Sequence, residues 1–485
     1  MVEKNIFEKI SRLIRLSKQT YKIFGFRVLT KEITRYILHG PLEAPSYEFE
    51  NEYIFQTEDY SKENIESILS SFTLRPKISI ITPVYNVAPE HLDKCIESVL
   101  NQWYINWELC LYDDFSSKPE TIACLQKWID TDPRIKIGFG KENQHISLAS
   151  NEAIKMADGE FIALLDNDDE LSENALLEVV RALNDNPEID FIYSDEDFIT
   201  PEGRYFQPHF KTDFNLSLLL SHNYITHFAV IRRNIGDKIN WFRKGYEGAQ
   251  DHDLFLRIIE RTRKIYHIPK ILYHWRQSNT STSLNYNEKS YADKAARKTL
   301  TDYATRNNIE MELLDGPGLG VYRFKRKIIT NGKVSIIVPF KDQISYLKDC
   351  ISSIIEKGGY PNWELLLISN NSENKETFTY LEKIKNSDHR IKVFEYNVPF
   401  NFSAINNWAI EQCEGEYILL LNNDIKAISD GWLNAMVEHI QLENVGIVGA
   451  KLLYSDDTIQ HAGVIIGIQG VAGHSHKFCP DHSVG

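Results

Sequence analysis

The run Phe161-Ile162-Ala163-Leu164-Leu165-Asp166-Asn167-Asp168-Asp169-Glu170 decides how this chain is read. Its apolar half reads as a buried strand, and it stops abruptly in four acids and one Asn. Carboxylates at the carboxyl end of a parallel strand lie where open α/β sheets bind their ligands. Alternate residues there can aim oxygens at a hard divalent cation, which then holds phosphate oxygens. A lone Asp-x-Asp also fits a solvated turn. This one stands apart because it occurs twice, in matching surroundings.

Working back from it, Ile78 to Pro83 reads as a buried strand stopped by a proline, which cannot donate to a ladder. Leu92 to Leu100 has helical spacing, and Trp107 to Tyr112 is a second strand ending at Asp113-Asp114. A helix over 119–130, a short strand over 134–137 and a helix over 147–157 lead through Asp158-Gly159 to the opening run. This alternation implies a mostly parallel sheet covered by helices, with each acidic motif at a strand's carboxyl end.

The same order then returns. Lys77-Ile78-Ser79-Ile80-Ile81 matches Lys333-Val334-Ser335-Ile336-Ile337, and Trp107-Glu108-Leu109 matches Trp363-Glu364-Leu365. Ser147 and Asn151 match Ser403 and Asn407, and Gly159-Glu160 matches Gly415-Glu416, every pair 256 positions apart. Such register reads as a tandem duplication. The expected division is 1–73 as a basic helical segment and acidic linker, 74–310 as the first domain, 311–332 as a linker, and 333–485 as the second domain. About 150 residues separate Gly159 from the end of the first domain, whereas 70 follow Gly415, so the second copy is expected to be cut short.

A chain of 485 residues with 42% hydrophobic and 25% charged content has the makings of several ordinary globular cores. Its net charge of −14 argues against non-specific nucleic-acid binding and suits a protein that handles anions through a bound cation. The six scattered cysteines form no C-x-x-C pair and read as reduced thiols of a cytosolic protein. No apolar run approaches the roughly 18 residues of a membrane span. Residues 1–40 carry nine Lys/Arg against three Glu, with apolar residues at helical spacing. They read either as a peripheral contact with an anionic membrane surface or as helices packed on the next domain.

Four motifs, Pro83-Val84-Tyr85-Asn86, Asp113-Asp114-Phe115-Ser116, Asp166-Asn167-Asp168-Asp169 and Gln250-Asp251-His252-Asp253, fall in the order seen in family-2 glycosyltransferases of the GT-A fold. The resemblance covers roughly residues 75–310, and the whole layout resembles tandem bacterial transferases of O-antigen and other surface-polysaccharide assembly. It implies a metal-dependent, inverting transfer of a sugar from a UDP-, dTDP- or GDP-linked donor to a growing, lipid-linked glycan at the cytoplasmic membrane face. It places Pro83, Tyr85, Asn86, Asp113 and Asp114 at the nucleotide, together with Asn151 and Asn167, and Asp166 at the ribose. Asp168 would bind Mg²⁺ or Mn²⁺, which neutralises charge on the departing diphosphate. Asp251 would be the general base, with Asp253 as runner-up, although Gln250 stands where the family usually has Glu. His274 is a candidate metal ligand and Arg276 a candidate phosphate contact. Tyr193 to Asp197 reads as another acidic strand end bordering the acceptor.

The second copy departs from the pattern. Asp113-Asp114 becomes Ser369-Asn370, and Asp166-Asn167-Asp168 becomes Asn422-Asn423-Asp424, while Pro339 keeps the place of Pro83. A counterpart of Asp251 would fall beyond Gly485, so this copy is expected to be inactive as it stands. The tail histidines His461, His474, His476 and His482 with Cys479 fit no usual zinc spacing and read as a loop. Two other readings stay open: a nucleotidyltransferase, which also uses acidic strand ends but for which the chain lacks a Gly-rich basic phosphate loop after the first strand, and a non-catalytic sugar- or nucleotide-binding scaffold.

Overall fold

A computed structural model describes residues 61–200, 203–276, 286–318, 320–466, 471–481 and 483. The basic segment 1–40 lies outside them. The chain divides into two compact units. One runs through Ile309 and includes Leu313–Phe324; the other comprises Glu310–Glu312 and the residues from Lys325 onward.

In the first unit, strands β1 (Ile78–Val84), β2 (Trp107–Asp113), β3 (Ile135–Phe139) and β4 (Phe161–Leu164) lie in the order β3-β2-β1-β4 and are all parallel. Nearly every residue of β1 and β2 is buried, inward and outward alike, because helices cover both faces. Burying side chains as large as Trp107 and Phe161 contributes about 1.5–3 kcal/mol each.

Beyond β4 the sheet becomes mixed. It adds β5 (Glu170–Leu171), β6 (Phe191–Ile199), β7 (Tyr205–His209), β8 (Val230–Arg232) and β9 (Ile265–Arg276), continuing from β4 as β8-β6-β9-β5, with β7 beside β6. β8 is antiparallel to both β4 and β6, and β9 is parallel to β6. The parallel pattern read from the sequence therefore holds for the first four strands and gives way after them. The Tyr193–Asp197 acids sit inside β6, not at its end, and Asp195, Glu196 and Asp197 are buried.

Residues 311–326 form a hairpin of β10 (Met311–Asp315) and β11 (Tyr322–Arg326). In the second unit, β12 (Val334–Phe340), β13 (Trp363–Ser369), β14 (Ile391–Glu395) and β15 (Tyr417–Leu420) repeat the parallel order β14-β13-β12-β15. The register repeats as well: Ile78 pairs with Trp107 and Phe161, as Val334 pairs with Trp363 and Tyr417.

The residues that match best between the copies form a buried scaffold. Ser79 Oγ donates to Glu108 Oε1 at 2.5 Å, and the Gly159 amide donates to Ser79 Oγ at 2.9 Å. A Cβ on Gly159 would lie 2.5 Å from that hydroxyl oxygen and 2.7 Å from the Lys77 carbonyl, so only glycine fits. Lys77 and Lys136 pair with Glu108 at 2.8 and 2.7 Å.

Candidate active site

Because β1, β2 and β4 are parallel and in register, Val84, Asp113 and Leu164 end near one edge of the sheet. The acidic loop follows β4 there and is tied down on three sides. Asn167 Nδ2 donates to the Pro83 carbonyl at 2.7 Å, and the Cys95 thiol reaches the Asp166 carbonyl at 3.4 Å. Arg276, at the end of β9, donates from its amide to Asp169 Oδ1 at 2.8 Å and from Nε to the Asp168 carbonyl at 2.9 Å.

The loop borders a cleft of about 640 Å³ lined by Pro83, Tyr85, Asp114, Asp166, Asn167 and Asp168, among others. A smaller pocket of about 60 Å³ brings Asp166 and Pro83 together with Thr226, His227, Gln250 and Asp251. Residues of all four sequence motifs, distant along the chain, thus line these two cavities.

Packing carboxylates this closely raises their proton affinity. Burial, and then the neighbouring Asp166, push Asp168 up to about 6. Asp169 is shifted upward as well, by burial and by Asp168. Asp251 is raised by burial, against the hydrogen bonds it accepts. It lies in the first turn of the helix Gln250–Ile259, and Asn223 Nδ2 donates to its Oδ2 at 2.6 Å, which fixes the carboxylate. Asp114 Oδ1 accepts from the Gln144 amide at 2.8 Å. Asp113 Oδ2 accepts from the Ser116 amide, while its Oδ1 is buried with no partner in the protein.

Acids around an open edge suit a hard divalent cation. Ligand atoms of Asp166, Asp169 and His227 lie within 4.8 Å of one another. Asp169, however, is closed to solvent and already accepts from Tyr273 Oη at 2.5 Å and from Arg276. Of the acidic loop's aspartates, Asp166 and Asp168 are the ones that line the cleft.

Several candidates are otherwise engaged. Both ring nitrogens of His274 have partners within the protein, Nδ1 with Asp197 Oδ1 at 2.6 Å and Nε2 with Ser172 Oγ at 2.9 Å. The buried guanidinium of Arg276 pairs with Glu170 and braces the acidic loop. Asn151 brackets the backbone of Phe242, donating to its carbonyl at 2.9 Å and accepting from its amide at 3.1 Å. Asn86, at φ 51°, accepts from the amides of Ser117 and Lys118 and so holds the turn after β2. Asp253 is fully buried and paired with both Arg243 and Arg257, whereas Asp251 lines the pocket.

His227 was not singled out by the sequence. It stacks on Tyr273 with ring centroids 4.6 Å apart, and its Nε2 lies 3.7 Å from Asp166 Oδ2. Burial opposes its charge, but Glu196 and Asp166 outweigh that and hold the imidazole well above its usual range. Nothing local marks it, since a lone His between Thr226 and Phe228 resembles any core histidine.

In the second unit Asn370 is spent on the carbonyls of Tyr396 and Val398, at 2.6 and 3.0 Å, and Asn422 and Asp424 are exposed. Pro339 keeps its place in β12. Among the tail residues, His461 and His474 meet Nδ1 to Nδ1 at 2.9 Å, and among the described residues no third ligand joins them.

The profile of glycosyl transferase family 2 matches residues 79–239 and again 335–467, together more than half of the chain. The chain belongs to that family, and its fold is of the GT-A type. It is 42% identical over 413 residues to the uncharacterized protein y4gI of Sinorhizobium fredii, covering 84% of this chain and 45% of that protein. It is 37% identical over 416 residues to the O-antigen biosynthesis protein RfbC of Myxococcus xanthus, covering 86% of this chain and 32% of that one. The chain thus spans less than half the length of either relative. Among solved structures, TarS of S. aureus in complex with UDP-GlcNAc superposes with a TM-score of 0.39 at 17% identity, over 48% of this chain and 72% of that one.

Proposed function

We propose that the first unit transfers a sugar from a nucleotide-sugar donor to a hydroxyl of a growing glycan, in a single displacement with inversion. The observation that carries this reading is the meeting of Asp251, Asp166 and Pro83 in one pocket beside the cleft that holds Asp114 and Asp168. The nucleotide would lie along Pro83 and Tyr85, with the unpartnered Oδ1 of Asp113 as an acceptor for a base N–H. Asp166 and Asp168 fit Mg²⁺ or Mn²⁺, both being hard oxygen donors on one loop; when bound, the ion would offset charge on the diphosphate. Asp251, held by Asn223, takes the proton as the acceptor oxygen bonds to the anomeric carbon and the bond from that carbon to the diphosphate breaks. Its raised proton affinity makes it a stronger base than an exposed Asp.

By likeness to the relative named for O-antigen biosynthesis, the acceptor would be a lipid-linked surface polysaccharide extended at the inner face of the cytoplasmic membrane. Among the described residues no helix is long and apolar enough to cross a membrane. Membrane contact would then rest on residues 1–40, and liposome sedimentation with and without them checks it.

Screening UDP-, dTDP- and GDP-linked sugars for hydrolysis, with and without Mn²⁺, tests the main reading without knowledge of the acceptor. Turnover of one of them, lost in Asp168→Ala and Asp251→Ala, is the expected result. A chain that turns over none of them, or variants that match the parent, would end it.

A further inference from the structure

Behind the pocket that holds Asp251 lies a buried polar node that the transfer mechanism leaves unused. At its centre is Glu196, in the interior of β6 and 3% exposed. Lys211, whose side chain is completely closed to solvent, donates from Nζ to Glu196 Oε2 at 2.9 Å. The same ammonium donates to the carbonyl of Ile225 at 2.6 Å and to that of His227. It therefore grips the chain on both sides of Thr226.

Thr226 is the strained residue of this segment. Its φ is 43°, in the left-handed region that a β-branched side chain adopts only under constraint. Such conformations cost on the order of 1–3 kcal/mol and persist only where the surroundings over-determine them. Here they do, because Thr226 Oγ1 reaches both carboxylate oxygens of Glu196 at 2.9 Å, and the two flanking carbonyls are held by Lys211. A loop built only for stability would place glycine at this position, as φ > 0 costs glycine nothing.

The strain has an evident product. The twist at Thr226 presents the next residue, His227, with Nδ1 on Glu196 at 3.2 Å and the ring flat against Tyr273, so Nε2 points at Asp166. Thr226 and His227 together form one wall of the pocket that Asp251 and Asp166 share.

We propose that Lys211, Glu196 and Thr226 form a positioning clamp that holds His227 against Asp166 and shapes the acceptor side of the catalytic pocket. The three are positioning residues and act through His227 and Asp166. This proposal rests on the transfer reading given above.

The test uses the full chain and whichever nucleotide sugar the hydrolysis screen shows to be turned over. Thr226→Gly is the central variant: glycine accepts the backbone conformation but loses the hydroxyl that reports to Glu196. A clamp predicts kcat lower by about 10- to 100-fold, since a misplacement near 1 Å can cost about 100-fold. The donor KM should stay within about 3-fold, because the loss falls on the transition state. The melting temperature should hold or rise, and Thr226→Ser, which keeps the hydroxyl, should restore kcat. Lys211→Met should lower kcat in the same way, and its stability is read separately because it leaves Glu196 buried without its cation. The clamp is overturned if Thr226→Gly keeps kcat within about 2-fold of the parent while Asp251→Ala abolishes turnover. It is equally overturned if the loss in Thr226→Gly is matched by a fall in melting temperature and is not recovered by Thr226→Ser. If Asp251→Ala and Asp168→Ala also turn over normally, the transfer reading itself has failed and the clamp falls with it.

Discussion

Glu108 in the first unit and Glu364 in the second do the same work at nearly the same distances. Each accepts from a buried serine hydroxyl at 2.5 Å, Ser79 in one and Ser335 in the other. Each also accepts the amide that precedes the tight glycine, from Asp158 at 2.6 Å and from Glu414 at 2.7 Å, and pairs with a lysine on the third strand at 2.7 or 2.8 Å. A few ångströms along the same strands the resemblance stops. Asp114 borders an open cleft, whereas its counterpart Asn370 is consumed by two carbonyls. Asp166 and Asp168 line that cleft; Asn422 and Asp424 lie exposed. The difference teaches that the matching residues hold the sheet together, and that the diverging ones sit where chemistry would be chosen.

The largest effect that separates the units should be catalytic. Asp251→Ala is expected to lower donor turnover by about 100- to 10,000-fold, the range for a lost general base. Asp424→Ala should leave turnover of this chain unchanged, and a matching loss in that variant would show that the second unit contributes. Stability should treat the units alike. Glu108→Ala and Glu364→Ala each leave a buried serine hydroxyl and a backbone amide without their acceptor and should cost about 1–3 kcal/mol in the unit that carries them, read from calorimetric unfolding. A cost in one unit less than half that in the other would break the equivalence of the scaffolds.

Acid should separate them again. His252 of the first unit is buried, with Nε2 against the Leu219 carbonyl at 2.7 Å, and burial lowers its pKa from 6.5 to about 4. The unfolded chain binds this proton first as pH falls, so the stability His252 confers is complete above 6.5 and is lost on the way down to 4. That amounts to about 3 kcal/mol. Asp168, raised to about 6, has the opposite slope and destabilises as pH rises. The difference between the parent and His252→Gln, followed by thermal unfolding from pH 7 to 4.5, therefore isolates the histidine. The smallest effect concerns the turn after the second strand of each unit. Asn86 and Asp342 both accept amide hydrogens there, from Lys118 and Asn374 among others, and Ala at either should cost about 1 kcal/mol. Unequal losses in chemical denaturation would show that the two turns are not interchangeable.

Much of this was legible in the chain. The parallel strands announced themselves as unbroken apolar runs, and the repeat at 256 positions carried the scaffold residues with it. The ligand edge followed from strand direction, and Asp114, Asp166, Asn167, Asp168 and Asp251 do line the two adjoining cavities there. The other candidates share one feature. His274, Arg276, Asn151, Asn86 and Asp253 are of the right residue type beside the right motif, yet their polar atoms are spent on Asp197, Glu170, Phe242, Ser117 and Arg257 respectively. A motif records which groups are near. It does not record which are already satisfied.

By itself, then, the sequence determined the strand directions, the two copies of the scaffold and the edge at which carboxylates collect. These depend on burial and period along short stretches, which a linear chain displays. Tertiary structure alone decided which of those carboxylates stay open and that His227 stands beside Asp166, held from behind by Glu196 and Lys211. Those facts depend on atoms supplied by β6, β9 and the segment before β8, brought together by a mixed extension of the sheet whose pairing no local pattern specifies.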